Sequence, residues 1–191
     1  MKRLLVCVLV VLCLSGCTRE NGIDRTIDLR QKILTAQKCE FIGEIFADYG
    51  DVLYSFELQC VFDQQGNMEF SVIAPDSIGG ITGKIEGQIG YLTFDDKSLA
   101  FPLLADDQLT PVSAPWVFMK CLRSGYIHSA GTQGDMTYVC INDSFQDDAL
   151  QLDIWLNQND IPVRAEILYL NKRILTISIA GFVCSFSSDP A

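Results

Sequence analysis

The residues able to perform catalysis are few and poorly placed in this sequence. His128 is the single histidine, so any Ser-His-Asp or Cys-His arrangement would have to use it. The surrounding segment, residues 125–129, lacks the G-x-S-x-G pattern that exposes a nucleophilic serine on a sharp turn. The aspartate pairs at 95–96, 106–107 and 147–148 are neighbours in sequence, and neighbouring side chains on a strand point to opposite faces. The sequence therefore predicts no enzyme, with His128 at the surface or in a loop.

One cysteine, Cys17, lies in a context that predicts covalent modification. Lys2 and Arg3 precede residues 4–14, a run that is apolar apart from its cysteines. A membrane-spanning helix needs roughly 20 apolar residues, so this run is too short and fits the core of a secretory signal. The residues at its end resemble the bacterial lipobox: Leu14, Ser15, Gly16 and Cys17. The resemblance implies lipid transfer to the Cys17 thiol, cleavage before Cys17 and anchorage at the outer face of the cell membrane.

The acidic composition excludes one class of partner. The chain of 191 residues has a formal net charge of −10, and loss of residues 1–16 with Lys2 and Arg3 brings it to −12. Such a chain repels the phosphates of nucleic acid, so no nucleic-acid partner is expected. The chain from residue 17 onwards is long enough for one domain with an apolar core. We expect a signal segment at 1–16, a lipidated cysteine and tether at 17–23, and a single domain at 24–188.

Five further cysteines lie outside the signal segment: Cys39, Cys60, Cys121, Cys140 and Cys184. An odd number leaves at least one thiol unpaired within the chain. None belongs to a C-x-x-C pair, and with one histidine we expect neither a metal site nor a cofactor. A turn at 49–51 would bring Cys39 near Cys60, so a Cys39–Cys60 disulfide is one alternative. Buried free thiols that pack as small apolar side chains are the other.

Alternating apolar residues predict a protein made mostly of β-strands. Residues 39–49 and 52–62 alternate between apolar and polar positions, which is typical of half-buried antiparallel strands. Further strands follow at short spacing, to about ten in all, and together they predict a meander-like antiparallel sheet. Two helices accompany them. Residues 24–38 have a helical pattern, with Ile23, Ile27, Ile33 and Leu34 near one apolar stripe. Residues 113–125 are too apolar for an exposed helix.

A sheet of this size has one apolar face that must be covered. Two helices need not cover all of it, and the uncovered part would form a concave apolar surface that binds lipid or a partner protein. Alternatively, the strands close more tightly and the core is filled. The aromatic and methionine residues that we assign to this ligand or partner face are Phe41, Tyr54, Phe56, Phe70, Trp116 and Met119.

Seven short segments carry a resemblance to a known family. They are residues 41–45 (FIGEI), 54–56 (YSF), 63–66 (DQQG), 70–75 (FSVIAP), 78–83 (IGGITG), 162–167 (PVRAEI) and 177–182 (ISIAGF). The layout resembles the lipoprotein-carrier fold of LolA and LolB, and more closely the germination lipoprotein GerS of spore-forming Clostridia and its relatives. The resemblance implies an α+β, mostly β fold, in which an unclosed antiparallel β-barrel of about ten strands has two helices on its concave side.

The same resemblance implies two kinds of function. In the carriers the hollow holds acyl chains, whereas in the germination lipoprotein a similar domain supports a cell-wall amidase as its protein partner. Neither offers a catalytic residue. We therefore expect a membrane-anchored, non-enzymatic lipoprotein that binds a partner or assists processing in the cell envelope. The alternative is a binder of lipid or acyl chains, and a hydrolase that depends on His128 is a third hypothesis.

Overall fold

The computed structural model of the protein describes residues 22–50, 52–105, 108–146 and 148–187. Cys17 and the expected signal segment lie outside the described residues. Helix α1 is Gly22–Thr35 and helix α2 is Ala114–Ser124. The strands are β1 Lys38–Asp48, β2 Leu53–Asp63, β3 Met68–Ala74, β4 Thr82–Glu86, β5 Ile89–Phe94, β6 Lys97–Pro102, β7 Leu104–Ala105, β8 Gln108–Leu109, β9 Tyr126–Gln133, β10 Met136–Asn142, β11 Gln151–Leu156, β12 Pro162–Tyr169 and β13 Lys172–Ser185.

Eleven of these strands form one antiparallel sheet. Its order is β6-β5-β4-β3-β2-β1-β13-β12-β11-β10-β9, and β7 and β8 form a separate two-stranded sheet. Strands β6 and β9 are the two ends of the large sheet, so it does not close into a barrel. The first strand, β1, lies beside the last, β13, and their pairing joins an N-terminal half-sheet to a C-terminal one. The predicted fold, mostly β with an unclosed antiparallel sheet and two helices, is confirmed.

Strand β1 shows why the sheet has one apolar face. Cys39, Phe41 and Ile45 are buried on the concave side, whereas Lys38 and Glu44 between and beside them are exposed on the convex side. The side-chain period of two along a strand produces this separation. Strand β2 continues it, and the alternation predicted from the sequence for both strands is confirmed.

Helix α2 lies in the concavity of the sheet, and eight of its residues are buried. Pro115 occupies its first turn, where the missing N–H of proline costs no helical hydrogen bond. Gly125 ends the helix against β10. A Cβ atom at this position would lie 2.5 Å from Cγ2 of Ile141 and 2.8 Å from the carbonyl oxygen of Cys121, so only glycine allows the close approach. The expected burial of this helix on most sides is confirmed.

Helix α1 covers the C-terminal half-sheet with a buried stripe that differs in part from the expected one. Its buried residues are Thr26, Leu29 and Ile33, whereas Ile27 and Leu34 are 40% and 43% exposed. Of the expected stripe, Ile33 is therefore confirmed as buried, whereas the prediction for Ile27 and Leu34 is wrong. Thr26 can be buried because its hydroxyl donates to the carbonyl oxygen of Gly22 at 2.7 Å. In the described part of the chain neither helix is long and apolar enough to cross a membrane.

Arg30 of α1 fastens the C-terminal end of α2. Its Nε donates to the carbonyl oxygen of Leu122 at 2.6 Å, and its Nη2 donates to that of Gly125 at 2.7 Å. Carbonyl groups at the end of a helix have no partner within the helix, and a cation there also interacts favourably with the helix dipole. Burial lowers the pKa of Arg30 from its ordinary value. Arg30 thus connects the two helices through a partly desolvated cation.

Replacement of Arg30 by methionine should lower the free energy of unfolding by about 2 kcal/mol, because the apolar stem stays while two carbonyl groups lose a charged donor. Urea denaturation followed by circular dichroism measures this loss. Arg123→Met is the matched control, since Arg123 is an exposed donor to the Gln64 carbonyl oxygen at 2.8 Å and should cost less than about 1 kcal/mol. Equal losses in the two variants would contradict the role assigned to Arg30.

Candidate binding cleft

The structure places most of the predicted ligand face inside the core. Only Tyr54 is open to solvent, at 45% exposure. The other five residues are buried, with exposures of 9% or less: Phe41, Phe56, Phe70, Trp116 and Met119. The prediction of these five as an accessible surface is corrected. Phe41, Phe56 and Phe70 belong to the buried core, and Trp116 and Met119 lie on α2, which occupies the concavity.

Aromatic side chains fill the centre of the concavity. Phe41 stacks on Phe62 with ring centroids 5.8 Å apart and on Phe182 at 5.7 Å. Phe118 of α2 meets Phe41 edge to face at 5.6 Å. Phe62 and Phe118 are almost completely buried. Of the two alternatives that the sequence left open, a filled core describes the centre of the sheet.

A cavity of about 300 Å³ remains at one side of this core. It lies between the end of the β5–β6 hairpin, β8, α2 and the segment that precedes β11. Its lining is mainly apolar and comprises Gln88, Pro102, Leu103, Leu109, Trp116, Val117, Lys120, Asp143 and Leu150. Ligand pockets of proteins typically enclose about 300–1,000 Å³, so this cavity is at the small end of that range.

A larger groove of about 420 Å³ lies on the convex face, across β2 to β6. It is lined mostly by polar side chains that point away from the core, among them Gln59, Glu69, Thr82 and Lys84. Lys84 there already forms an ion pair with Glu86 at 2.8 Å. Polar side chains of this kind are well solvated without a ligand, so the smaller concave cavity is the better candidate.

The β5–β6 hairpin, whose open end borders the cavity, carries an exposed apolar surface on its concave side. Leu92, Phe94, Leu99 and Phe101 point to the concave side by the alternation and register of the two strands; we call them the hairpin surface. Phe94 is 57% exposed and Leu99 is 67% exposed. A Cβ atom at Gly90 would lie 2.1 Å from Cζ of Phe101, so glycine lets that ring lie flat across the strand. Phe94 and Leu99 therefore remain open to a binding partner.

Two charged groups accompany the apolar lining of the cavity. Nζ of Lys120 lies 5.4 Å from the centre of the Trp116 ring, an arrangement that favours a cation. Trp116 is fixed in turn, because its Nε1 donates to the carbonyl oxygen of Gly66 at 3.2 Å. Asp143 lines the same cavity. The site can hold an apolar group beside a cation and a carboxylate, and nothing in its lining resembles a nucleophile with a base.

Tyr49 attaches the cavity wall to the β1–β2 end of the sheet. Its hydroxyl donates to the carbonyl oxygen of Leu109, which lines the cavity, and its ring meets that of Tyr54 at 6.1 Å. Burial, with a smaller effect from Tyr54, raises the pKa of Tyr49 to about 12. The neutral phenol is thus favoured in the folded state, and its contribution to stability is complete below pH 10 and is lost as the pH rises towards 12.

The Tyr49→Phe variant should lose less stability than the wild type between pH 10 and pH 12. The variant has no phenol to ionise, although buried thiols such as Cys121, whose pKa burial raises to about 12, still contribute to alkaline unfolding. Urea midpoints at pH 7, 10 and 12 measure the effect, and the pH 7 values report the lost hydrogen bond separately. If the stability of the wild type and of the variant fell equally above pH 10, the raised pKa of Tyr49 would be contradicted.

The single histidine lies away from the cleft. His128 is exposed on β9, the outermost strand of the C-terminal half-sheet, and does not line the cavity. It is at the surface, as expected, but in a strand that the sequence analysis did not predict. Among the described residues, no group of three or more His, Cys, Asp or Glu side chains could hold a metal ion.

A polar cluster on the convex face of the C-terminal half-sheet is structurally satisfied. Asp153 is only 8% exposed and accepts a hydrogen bond from Nε2 of Gln151 at 2.9 Å. Burial, and then a hydrogen bond to Asp153, raises the pKa of Tyr138. Burial followed by the charge of Asp153 raises the pKa of Cys140 to about 11. Cys140 is therefore a protonated thiol at neutral pH rather than an activated nucleophile.

The cysteine register differs from the expected one. All five cysteines of the described part are free thiols. Cys39 lies opposite Phe62 of β2, and Cys60 lies opposite Phe41, so the predicted Cys39–Cys60 pair is displaced by two residues along the strands. Asp48 pairs with Leu53, one residue further along β2 than a turn confined to residues 49–51 would give, and this longer connection carries Cys39 past Cys60. Across the other edge of β1, Cys39 lies opposite Cys184 of β13.

Comparison with known proteins gives structural similarity only. No protein-family model and no curated protein sequence matches the chain. An uncharacterized conserved protein from Thermus thermophilus is similar at 10% identity over 87% of this chain and 90% of its own, with a TM-score of 0.47. A LolA superfamily protein from Nitrosomonas europaea is similar at 11% identity over 86% and 94%, with a TM-score of 0.44. The lipoprotein LppX from Mycobacterium tuberculosis is similar at 10% identity over 89% and 94%, with a TM-score of 0.42.

Proposed function

We propose that this chain is a non-enzymatic accessory protein of the cell envelope that binds a partner protein through the hairpin surface. Lipid on Cys17 would hold it at the outer face of the cell membrane, as the lipobox-like sequence implies. The resemblance to the clostridial germination lipoprotein supports the same kind of function. The observation that carries the proposal is the exposure of Phe94 and Leu99 beside a concavity whose centre is filled.

The hairpin surface has the properties of a docking site. Contiguous exposed apolar side chains with polar residues around them mark sites of interaction on soluble domains. Asp95 and Asp96 form the tight turn at the tip of the hairpin, both with positive φ, and Lys97 follows them. Strand β6 is also the outermost strand on its side of the sheet, so its backbone can accept an added strand. We therefore expect an extended partner segment with apolar side chains.

Mild crosslinking in cells, followed by purification of the protein, tests this proposal. The wild type should recover a stable partner, and the double variant Phe94→Ser, Leu99→Ser should recover at least about tenfold less. Phe46→Ser is the matched control, because Phe46 is 44% exposed on the convex face and should leave recovery unchanged. Recovery of no partner, or equal recovery with the double variant, would count against partner binding.

Binding of lipid is the second candidate function, and the apolar cavity of about 300 Å³ favours it. Leu103, Leu109, Val117 and Leu150 would contact an acyl chain, and Lys120 would interact with an anionic headgroup. Native mass spectrometry of protein purified from cells should then show an added lipid mass. An unliganded mass alone would rule this candidate out.

A further inference from the structure

We propose that Cys39 and Cys184 form a reversible disulfide that fastens the first strand of the sheet to the last. The two residues are direct partners in the register of β1 and β13. Direct partners in an antiparallel pair have Cα atoms about 4.5–5.5 Å apart, within the roughly 4.4–6.8 Å that a disulfide requires. The Cys39 thiol donates a hydrogen bond to the Cys184 sulfur, so the two sulfurs face each other. The inference goes beyond the proposed function and does not depend on it.

The other cysteines of the described part have no such partner. Cys60 lies opposite Phe41 in β1 and Phe70 in β3 and is completely buried. Cys121 lies in α2, and Cys140 lies opposite Asp153 and Ser129. Among the described residues, Cys39 and Cys184 are thus the one pair of cysteines at facing strand positions.

The surroundings of the pair favour thiol–disulfide exchange. Cys184 is partly exposed, whereas Cys39 is 3% exposed, so an external reagent reaches Cys184 first. The hydrogen bond from Cys39 lowers the pKa of Cys184; burial opposes this effect, and the positive charge of Lys32 adds to it. The same hydrogen bond raises the pKa of Cys39, which Arg123 partly offsets. An accessible thiol with a lowered pKa beside a second, protonated thiol is the arrangement that favours exchange.

The reaction is a two-electron exchange with a small-molecule or protein disulfide. The Cys184 thiolate attacks one sulfur of that disulfide, forms a mixed disulfide and releases one thiolate, which takes up a proton. The Cys39 thiol then loses its proton to solvent and attacks the sulfur of Cys184, which releases the second thiolate. Two protein thiols are oxidised to one disulfide, and the external disulfide is reduced to two thiols.

The proposed Cys39–Cys184 disulfide would link the two half-sheets covalently. Hydrogen bonds between the two half-sheets are, in the described part of the chain, those of β1 with β13. A bond between Cys39 and Cys184 closes nearly the whole domain into one covalent loop, and loops of this length reduce the entropy of the unfolded chain most. We expect the temperature of unfolding to rise by about 10 °C on oxidation. An extracytoplasmic location would allow the bond to persist.

Peptide mapping of the full chain tests the proposal. The protein is incubated with oxidised glutathione or with dithiothreitol, its remaining thiols are blocked with iodoacetamide, and it is digested with trypsin. Cleavage after Lys38, Lys84 and Arg173 places Cys39 in peptide 39–84 and Cys184 in peptide 174–191. The oxidised sample should contain these peptides linked, and the reduced sample should contain them separate and alkylated.

Serine variants identify the linked cysteine, because peptide 39–84 also contains Cys60. Cys60→Ser should keep the link and the rise in unfolding temperature, whereas Cys39→Ser should lose both. Cys184→Ser should also lose the link and the rise in unfolding temperature. Because it changes a half-exposed side chain, it remains a usable test if Cys39→Ser fails to fold. Absence of the linked peptides after oxidation, or their loss in Cys60→Ser alone, would overturn the proposal.

Discussion

Replacement of Cys17 by alanine is expected to move the protein from the membrane fraction to the soluble fraction and leave its fold unchanged. The thiol is the proposed point of lipid attachment, and each methylene buried in a bilayer contributes about 0.8 kcal/mol, so two acyl chains hold a protein firmly. Neither helix of the described residues is long and apolar enough to span a bilayer. Cell fractionation measures the change in location, and circular dichroism of the purified protein measures the fold.

Cys13→Ala is the matched control for this experiment. Cys13 lies in the apolar run but outside the lipobox-like residues at 14–17, so the variant should stay in the membrane fraction. Incorporation of radioactive palmitate should follow the same division, with label in Cys13→Ala and none in Cys17→Ala. A Cys17→Ala protein that remains in the membrane fraction would show that something other than this lipid retains the chain.

Much of the sheet follows from the sequence because burial on one face imposes a period of two. In β1 and β2 that period is almost uninterrupted, and Phe41, Ile45, Leu58 and Phe62 are buried as it predicts. Strand β1 ends at Asp48 and β2 begins at Leu53, so the antiparallel strands meet on either side of the expected turn. These elements are determined locally, and no knowledge of their neighbours in the sheet is needed to recognise them.

Strand β9 could not be recognised in this way. Its residues include Ser129, Gly131 and Gln133, which have low strand propensity and no regular alternation, and only Ile127 and Ala130 are partly buried. It is an edge strand, and it forms because β10 offers a paired backbone and because α1 packs against it. Tertiary context of this kind overrides propensity, which is itself weak for strands.

Of the six residues predicted for the ligand face, only Trp116 lines the candidate cavity. Aromatic residues of the concave face were identified from alternation, yet the sequence gives no measure of how deeply α2 enters the hollow. The depth depends on Gly125 and on Arg30, whose contacts with α2 and β10 span distant parts of the chain. Leu103 and Leu109 reach the cavity from short strands that have no periodic signal.

Whether α2 fills the hollow of the sheet can be tested by a substitution in this helix. Phe118→Ala should lower the free energy of unfolding by about 3–5 kcal/mol, the cost of removing a large aromatic side chain from a packed core. Phe118 is completely buried and meets both Phe41 and Phe182 edge to face, at 5.6 and 6.5 Å. Its removal leaves a space that the strands of the sheet cannot readily close. Urea denaturation measures the loss.

Phe94→Ala is the matched control, because it removes the same side chain at a position that is 57% exposed, and it should cost less than about 1 kcal/mol. Phe118→Ala should also increase the fluorescence of an added apolar dye in native buffer, since the new space lies in an apolar core. Phe118→Leu, which keeps most of the volume, should restore much of the stability. If the two alanine variants lose equal stability, α2 does not fill the hollow and the case for an acyl-chain site in the concavity becomes stronger.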